Sequence, residues 1–199
     1  MDTTTTPVAE ALGSVVAALP GGGEARPGQV EMAEAVAAAV AGGRHVVVQA
    51  GTGTGKSLGY LVPTVLAGKR VVVATATKAL QDQLVGRDLP FLADHLGVPF
   101  TFSALKGRSN YLCLQRAKEV LTDVKQQELD VGDSVVEAEV LRLVEWGTTS
   151  DDGDRSGLDI EPSPRAWAMV SVSSDECPGA AKCPMGEACF AERARAAAA

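Results

Sequence analysis

Residues 50–57 read Ala-Gly-Thr-Gly-Thr-Gly-Lys-Ser, and this stretch limits the possible folds more than any other. Gly51, Gly53 and Gly55 let the backbone curl so that successive N–H groups point inward. A Cβ at these positions would crowd whatever sits in the curl. Before the loop, residues 45–49 (His-Val-Val-Val-Gln) form the continuous β-branched run expected of a strand covered on both faces. After it, the pattern predicts a helix from about Lys56 to Leu66, with Pro63 bending it or weakening one hydrogen bond. A buried strand, a glycine turn and a helix around G-x-x-x-x-G-K-[ST] define a phosphate-binding P-loop. Ala50 replaces the first glycine, a position that only closes the turn. In such a loop Gly51, Thr52, Gly53, Thr54 and Gly55 line the anion site, and the helix start adds its positive dipole end. Lys56 reaches the β- and γ-phosphates and Ser57 presents a hydroxyl to Mg²⁺, so these two are the expected catalytic residues of an ATP-Mg site. Kinases, transport ATPases and helicases share the motif, which does not choose among them.

The surrounding pattern extends the α/β reading. A weak apolar helix over residues 8–19 ends at Pro20 and Gly21. A second helix opens at Arg26-Pro27-Gly28-Gln29, runs through Val30, Ala33, Val36 and Val40, and stops at Gly42-Gly43. Residues 71–76 predict a second buried strand, 77–85 a helix, 91–96 a short helix and 99–105 a third strand. Alternating strands and helices at this spacing imply a parallel sheet with helices on both faces. After Asn110 the pattern becomes helical, over 110–124 and 134–146. A polar segment follows (147–157), then Pro162, Pro164 and a cysteine-rich tail. The alanine-rich end, residues 188–199, is helix-forming and carries no cap, as in a helix cut in mid-pattern.

Charge separates these parts. The chain carries a net charge of −7, which argues against a wholly basic nucleic-acid coat. Lys and Arg nevertheless outnumber Asp and Glu from Lys69 to Lys118, while acids dominate from Leu121 to Glu161. A phosphate-tracking surface fits the first stretch, although an unevenly charged solvated surface gives the same signal. No positively charged leader and no apolar run near the ~20 residues of a membrane span is evident, which predicts a cytoplasmic protein without membrane association.

The four cysteines are Cys113, Cys177, Cys183 and Cys189. The last three are evenly spaced and lack the close pairs of zinc sites. His45 belongs to the predicted strand and His95 reads as a core residue, so neither joins them. Spacing alone leaves three options open: a Cys₄ iron–sulfur cluster, zinc, or free or disulfide-bonded thiols. Pro178 and Pro184 follow two of the cysteines and would tighten ligand loops.

Four segments resemble one family in order and spacing. Residues 49–57 look like motif I of superfamily 2 helicases. Arg26-Pro27-Gly28-Gln29 resembles that superfamily's adenine-reading Q motif. Residues 75–84 (Thr-Ala-Thr-Lys-Ala-Leu-Gln-Asp-Gln-Leu) resemble motif Ia, and Lys106-Gly-Arg-Ser-Asn-Tyr-Leu-Cys113 resembles the start of the iron–sulfur insertion of DinG-like and XPD-like DNA helicases. The resemblance covers about residues 26–195. It implies a RecA-like P-loop NTPase domain carrying a mainly helical iron–sulfur insertion. Arg26 and Gln29 would then join the ATP site, and Thr75, Thr77 and Gln83 would contact single-stranded DNA. Cys113, Cys177, Cys183 and Cys189 would hold a [4Fe–4S] cluster. Read from their own surroundings, Gln29 suits a helix surface and the threonines suit helix caps.

The resemblance implies a division into an N-terminal helical segment (1–25), an incomplete motor domain (26–109), the insertion (110–195) and a truncated end (196–199). The implied activity is ATP-dependent DNA unwinding, 5′→3′, by a monomer on single-stranded or forked DNA, with a place in DNA repair. No Walker B carboxylate follows an apolar strand here; Asp151-Asp152 lies in a polar loop. The chain alone is therefore expected to bind nucleotide without unwinding DNA. A different P-loop ATPase or kinase, and a non-catalytic cluster module that binds nucleic acid, are the alternatives.

Overall fold

A computed structural model describes residues 6–125 and 134–199. The chain folds as two compact units, Met1–Phe102 and Ser103–Ala199. The first residues of the N-terminal segment and part of the acidic stretch, residues 126–133, lie outside the described residues.

In the first unit, α1 (Pro7–Ala17), α2 (Pro27–Gly42) and α3 (Lys56–Leu66) pack with α5 (Leu89–His95). Thr6 caps α1 by accepting from the Ala9 amide, and prolines open α1 and α2, where a missing N–H costs nothing. Gly43 ends α2 in the left-handed conformation, as predicted. The core is Leu12, Val15 and Val16 of α1, Ala33 of α2, and Leu61 and Val62 of α3, with Leu84 and Leu92. The predicted 77–85 helix is α4 (Lys78–Gln83), prolonged by a π-helical turn over Leu84–Asp88.

The predicted strands behave differently from the helices. Among the described residues no strand ladder forms. Residues 45–49, 71–75 and 99–105 are extended without helix or ladder. Val47 is 96% exposed and Val72 87%, whereas their neighbours Val46, Val48, Val71 and Val73 are about half as exposed. The alternation is that of extended chain with one face partly covered. A strand is stabilised by pairing with a neighbour about 4.8 Å away, and among the described residues these runs form no such ladder.

The second unit holds α6 (Leu114–Lys125), α7 (Ser134–Thr149), α8 (Pro164–Val170) and α9 (Phe190–Ala198). Its core joins Leu112, Val140, Leu143, Ala166, Trp167, Val170 and Phe190. The sequence reading missed α8. Its signal was Ser163-Pro164, with Ser163 accepting from the Ala166 amide and proline in the first turn. An antiparallel bridge pairs Tyr111 with Asp154. The polar loop around residue 153 is thereby fixed against the unit's first segment. Gly153 has φ +62°, and a Cβ there would lie 2.2 Å from the Phe190 ring.

Candidate nucleotide-binding loop and cysteine cavity

The loop ahead of α3 turns through two left-handed glycines, Gly53 (φ +80°) and Gly55 (φ +78°). L side chains are disfavoured there by about 1–2 kcal/mol. Gly55 is doubly constrained, because a Cβ would lie 2.3 Å from Gln29 Nε2. Lys56 Nζ donates to the carbonyl oxygens of Gly51 (2.7 Å) and Ala50 (3.3 Å), and Thr54 Oγ1 donates to Gly51 O at 3.0 Å. Lys56 is therefore folded back across the concave side of the loop. Ser57 hydrogen-bonds the Tyr60 hydroxyl; burial nevertheless raises the Tyr60 pKa above its ordinary value.

The two upstream residues meet the same loop. Gln29 is buried and donates through Nε2 to Gly55 O at 2.9 Å. The Arg26 guanidinium donates to Gly53 O. Gln29 is thus no surface residue: its amide fastens α2 to the loop. Thr77 caps α4 by accepting from the Leu80 amide at 3.3 Å, and Thr75 Oγ1 donates to Thr77 O at 3.1 Å. Gln83 donates to Asp88 Oδ2 at 3.0 Å. His45 is exposed. His95, read as core, is exposed as well; it stacks on Phe91 with ring centroids 4.3 Å apart.

In the second unit all four cysteines are free and line a single cavity with Arg108, Tyr111 and Met185. Cys113 precedes α6, where its sulfur accepts from the Gln115 and Arg116 amides. Burial is the main influence on this thiol and raises its pKa; the two amides oppose the rise, and the sulfurs of Cys183 and Cys189 add to it. Cys189 occupies the N-cap position of α9. Cys177 follows a turn in which Ser173 and Glu176 bond reciprocally, Ser173 N–H to Glu176 Oε2 and Glu176 N–H to Ser173 Oγ. Among the described residues no three His, Cys, Asp or Glu side chains take the close geometry that would hold a metal ion. The four thiols nonetheless line one shared space.

Two cations that the sequence reading left without a role stand beside this cavity. Arg108 is buried, forms an ion pair with Glu192, and places Nη1 4.0 Å from Cys189 Sγ. The hydrogen bond to Glu192 is the main reason its pKa rises. Lys106 is buried against Asp154 at 2.7 Å, donates to Ser156 Oγ, and gives its backbone N–H to the Tyr111 hydroxyl. Both belong to the quoted Lys106–Cys113 segment. Their burial was the missing signal.

The chain belongs to the DEAD/DEAH box helicase family, whose profile matches residues 27–126. The fold class that follows is a RecA-like P-loop domain. Among individual proteins, the chain is 49% identical to the ATP-dependent helicase DinG of Mycobacterium tuberculosis, over 96% of this chain and 31% of that protein. It is 41% identical to the ATP-dependent DNA helicase YoaA of Escherichia coli, over 92% and 28%. It is 36% identical to the 3′-5′ exonuclease DinG of Bacillus subtilis, over 77% and 16%. The chain thus spans about a third or less of the length of the curated relatives it matches. No described helix is long and apolar enough to cross a membrane.

Proposed function

We propose that this chain is the nucleotide- and cluster-binding part of an ATP-dependent DNA helicase of the DinG type. The observation that carries the reading is the P-loop, whose left-handed glycines lead directly into α3 with Lys56 as its first residue. ATP would bind with its β- and γ-phosphates in this loop. Phosphate oxygens would replace the Ala50 and Gly51 carbonyls as partners of Lys56, and the amides of residues 51–55 would turn onto them. Mg²⁺, held through Ser57, would offset phosphate charge. Arg26 and Gln29 complete the site. Their contacts with Gly53 and Gly55 support a role in holding the loop as well as the adenine contact implied by the family.

Thr75, Thr77 and Gln83 are proposed to face the single-stranded DNA backbone. The exposure of Thr77 and Gln83, the half-buried Thr75 beside them and the basic residues from Lys69 to Arg87 in the same unit support this. The whole protein would act in the cytoplasm as a monomer, moving 5′→3′ on single-stranded or forked DNA in DNA repair. Residues 45–49 and 71–75 have the composition of central strands, and their exposed valines support a parallel sheet in which they would be paired.

Cys113, Cys177, Cys183 and Cys189 are proposed to hold a [4Fe–4S] cluster. The donor set fits: four free thiols line one cavity, with no imidazole or carboxylate among the lining groups. When bound, the cluster would cross-link three separate stretches of the insertion. Anaerobic purification with iron and sulfide analysis tests this. We expect brown protein with about four irons per chain, and an iron-free Cys113→Ser variant whose residues 110–195 are cut faster by protease. Colourless wild-type protein, or Cys113→Ser with full iron, would refute the assignment.

A further inference from the structure

The four cysteines share a cavity but not a mode of anchoring. Cys113 is fastened to the packed core. Tyr111 and Leu112 beside it are buried, its N–H donates to Val170 O at 2.7 Å, and its carbonyl accepts from Ala117, also buried. Cys189 is fastened likewise. Phe190 and Ala191 follow it into the core, its carbonyl accepts from Arg193, and Arg108 reaches its sulfur. Cys177 and Cys183 lie on residues 173–188, where Gly186 is the one buried residue. The backbone bonds of these two cysteines stay inside that stretch or at its edge: Cys177 N–H to Ser173 O, Cys183 N–H to Gly179 O, and Gly186 N–H to Cys183 O. The stretch closes on itself at Gly186, where a Cβ would lie 2.1 Å from Ala180 O.

We propose that Cys113 and Cys189 form a preformed half-site, and that Cys177 and Cys183 sit on a strap which closes over the bound group and opens first when the group is lost. This rests on the cluster reading above. The physical reason is cooperativity. Moving Cys113 or Cys189 means disturbing the core of the second unit, whereas moving the strap breaks local turns and one longer bond, from the Cys189 N–H to Gly186 O at 3.3 Å. The strap would thus become accessible on iron loss while the helices of the unit stay folded, giving the protein a local structural response to its iron content.

Cluster-loaded wild-type protein, prepared anaerobically, would be treated with an iron chelator. Samples taken at intervals would be pulsed with iodoacetamide and digested for mass spectrometry. The expected result is alkylation of Cys177 and Cys183 several-fold faster than of Cys113 and Cys189, with unchanged helical circular dichroism. Simultaneous labelling of all four, or earlier labelling of Cys113 and Cys189, would overturn the proposal while leaving the cluster reading intact. Protein that never takes up iron would overturn both. Gly186→Ala gives an independent check. It should release iron several-fold faster than wild type with an unchanged melting temperature for the iron-free protein. Iron retention equal to wild type would count against the strap.

Discussion

Gly55 shows how one residue joins two requirements. Its φ of +78° suits glycine, and its missing Cβ leaves room for the buried Gln29 amide that donates to its carbonyl. Gly55→Ala should therefore cost about 1–2 kcal/mol from backbone strain alone. It should weaken ATP binding further by displacing Gln29. Gln29→Ala removes one hydrogen bond, worth about 1 kcal/mol, and leaves the glycine conformation intact. Thermal unfolding with nucleotide titration would separate the two. Equal affinity of Gly55→Ala and wild type would contradict this account of the loop. In the second unit the Lys106–Asp154 pair is nearly dry, with side chains 4% and 13% exposed. Asp154→Ala would leave a buried ammonium without its carboxylate. Loss of a buried partner typically costs about 3–5 kcal/mol, so the iron-free variant should melt well below wild type. A change under about 1 kcal/mol would place the pair among weak surface bridges.

At the scale of elements, helices were more legible than strands. The caps at Thr6, Thr77 and Gly43, and the proline starts of α1 and α2, act within a few residues, so the sequence displays them directly. The apolar runs at residues 45–49 and 71–75 were legible as strands in composition, but a strand needs a partner, and pairing is not a local property. Likewise Lys106 and Arg108 were visible only as charges. Their partners Asp154 and Glu192 stand far along the chain, and burial supplied the missing information. Cys113 illustrates an element's effect on a side chain. Burial raises its pKa and the first amides of α6 oppose the rise. The folded value lies above the unfolded one, so this thiol's contribution to stability is complete below the unfolded pKa and is lost as pH climbs through the folded one. Iron-free protein should lose melting temperature as pH rises above about 9, less steeply in Cys113→Ala. An unchanged slope in that variant would contradict the assignment.

At the scale of the whole molecule, two units carry two candidate sites: the P-loop in Met1–Phe102 and a thiol cavity in Ser103–Ala199. The first unit exposes Val47 and Val72 nearly fully. Unpaired apolar strand segments invite association. Val47→Asp with Val72→Asp should therefore keep the 199-residue chain soluble to higher concentration, with little change in melting temperature because neither side chain is packed. Light scattering would record the difference, and a variant that aggregates as readily as wild type would remove these segments as the cause. The most direct test of the central claim is isothermal titration of the 199-residue chain with ATP-Mg. One site per chain is expected, lost in Lys56→Ala while circular dichroism and melting temperature stay at wild-type values. No binding by wild type, or undiminished binding by Lys56→Ala, would contradict that claim.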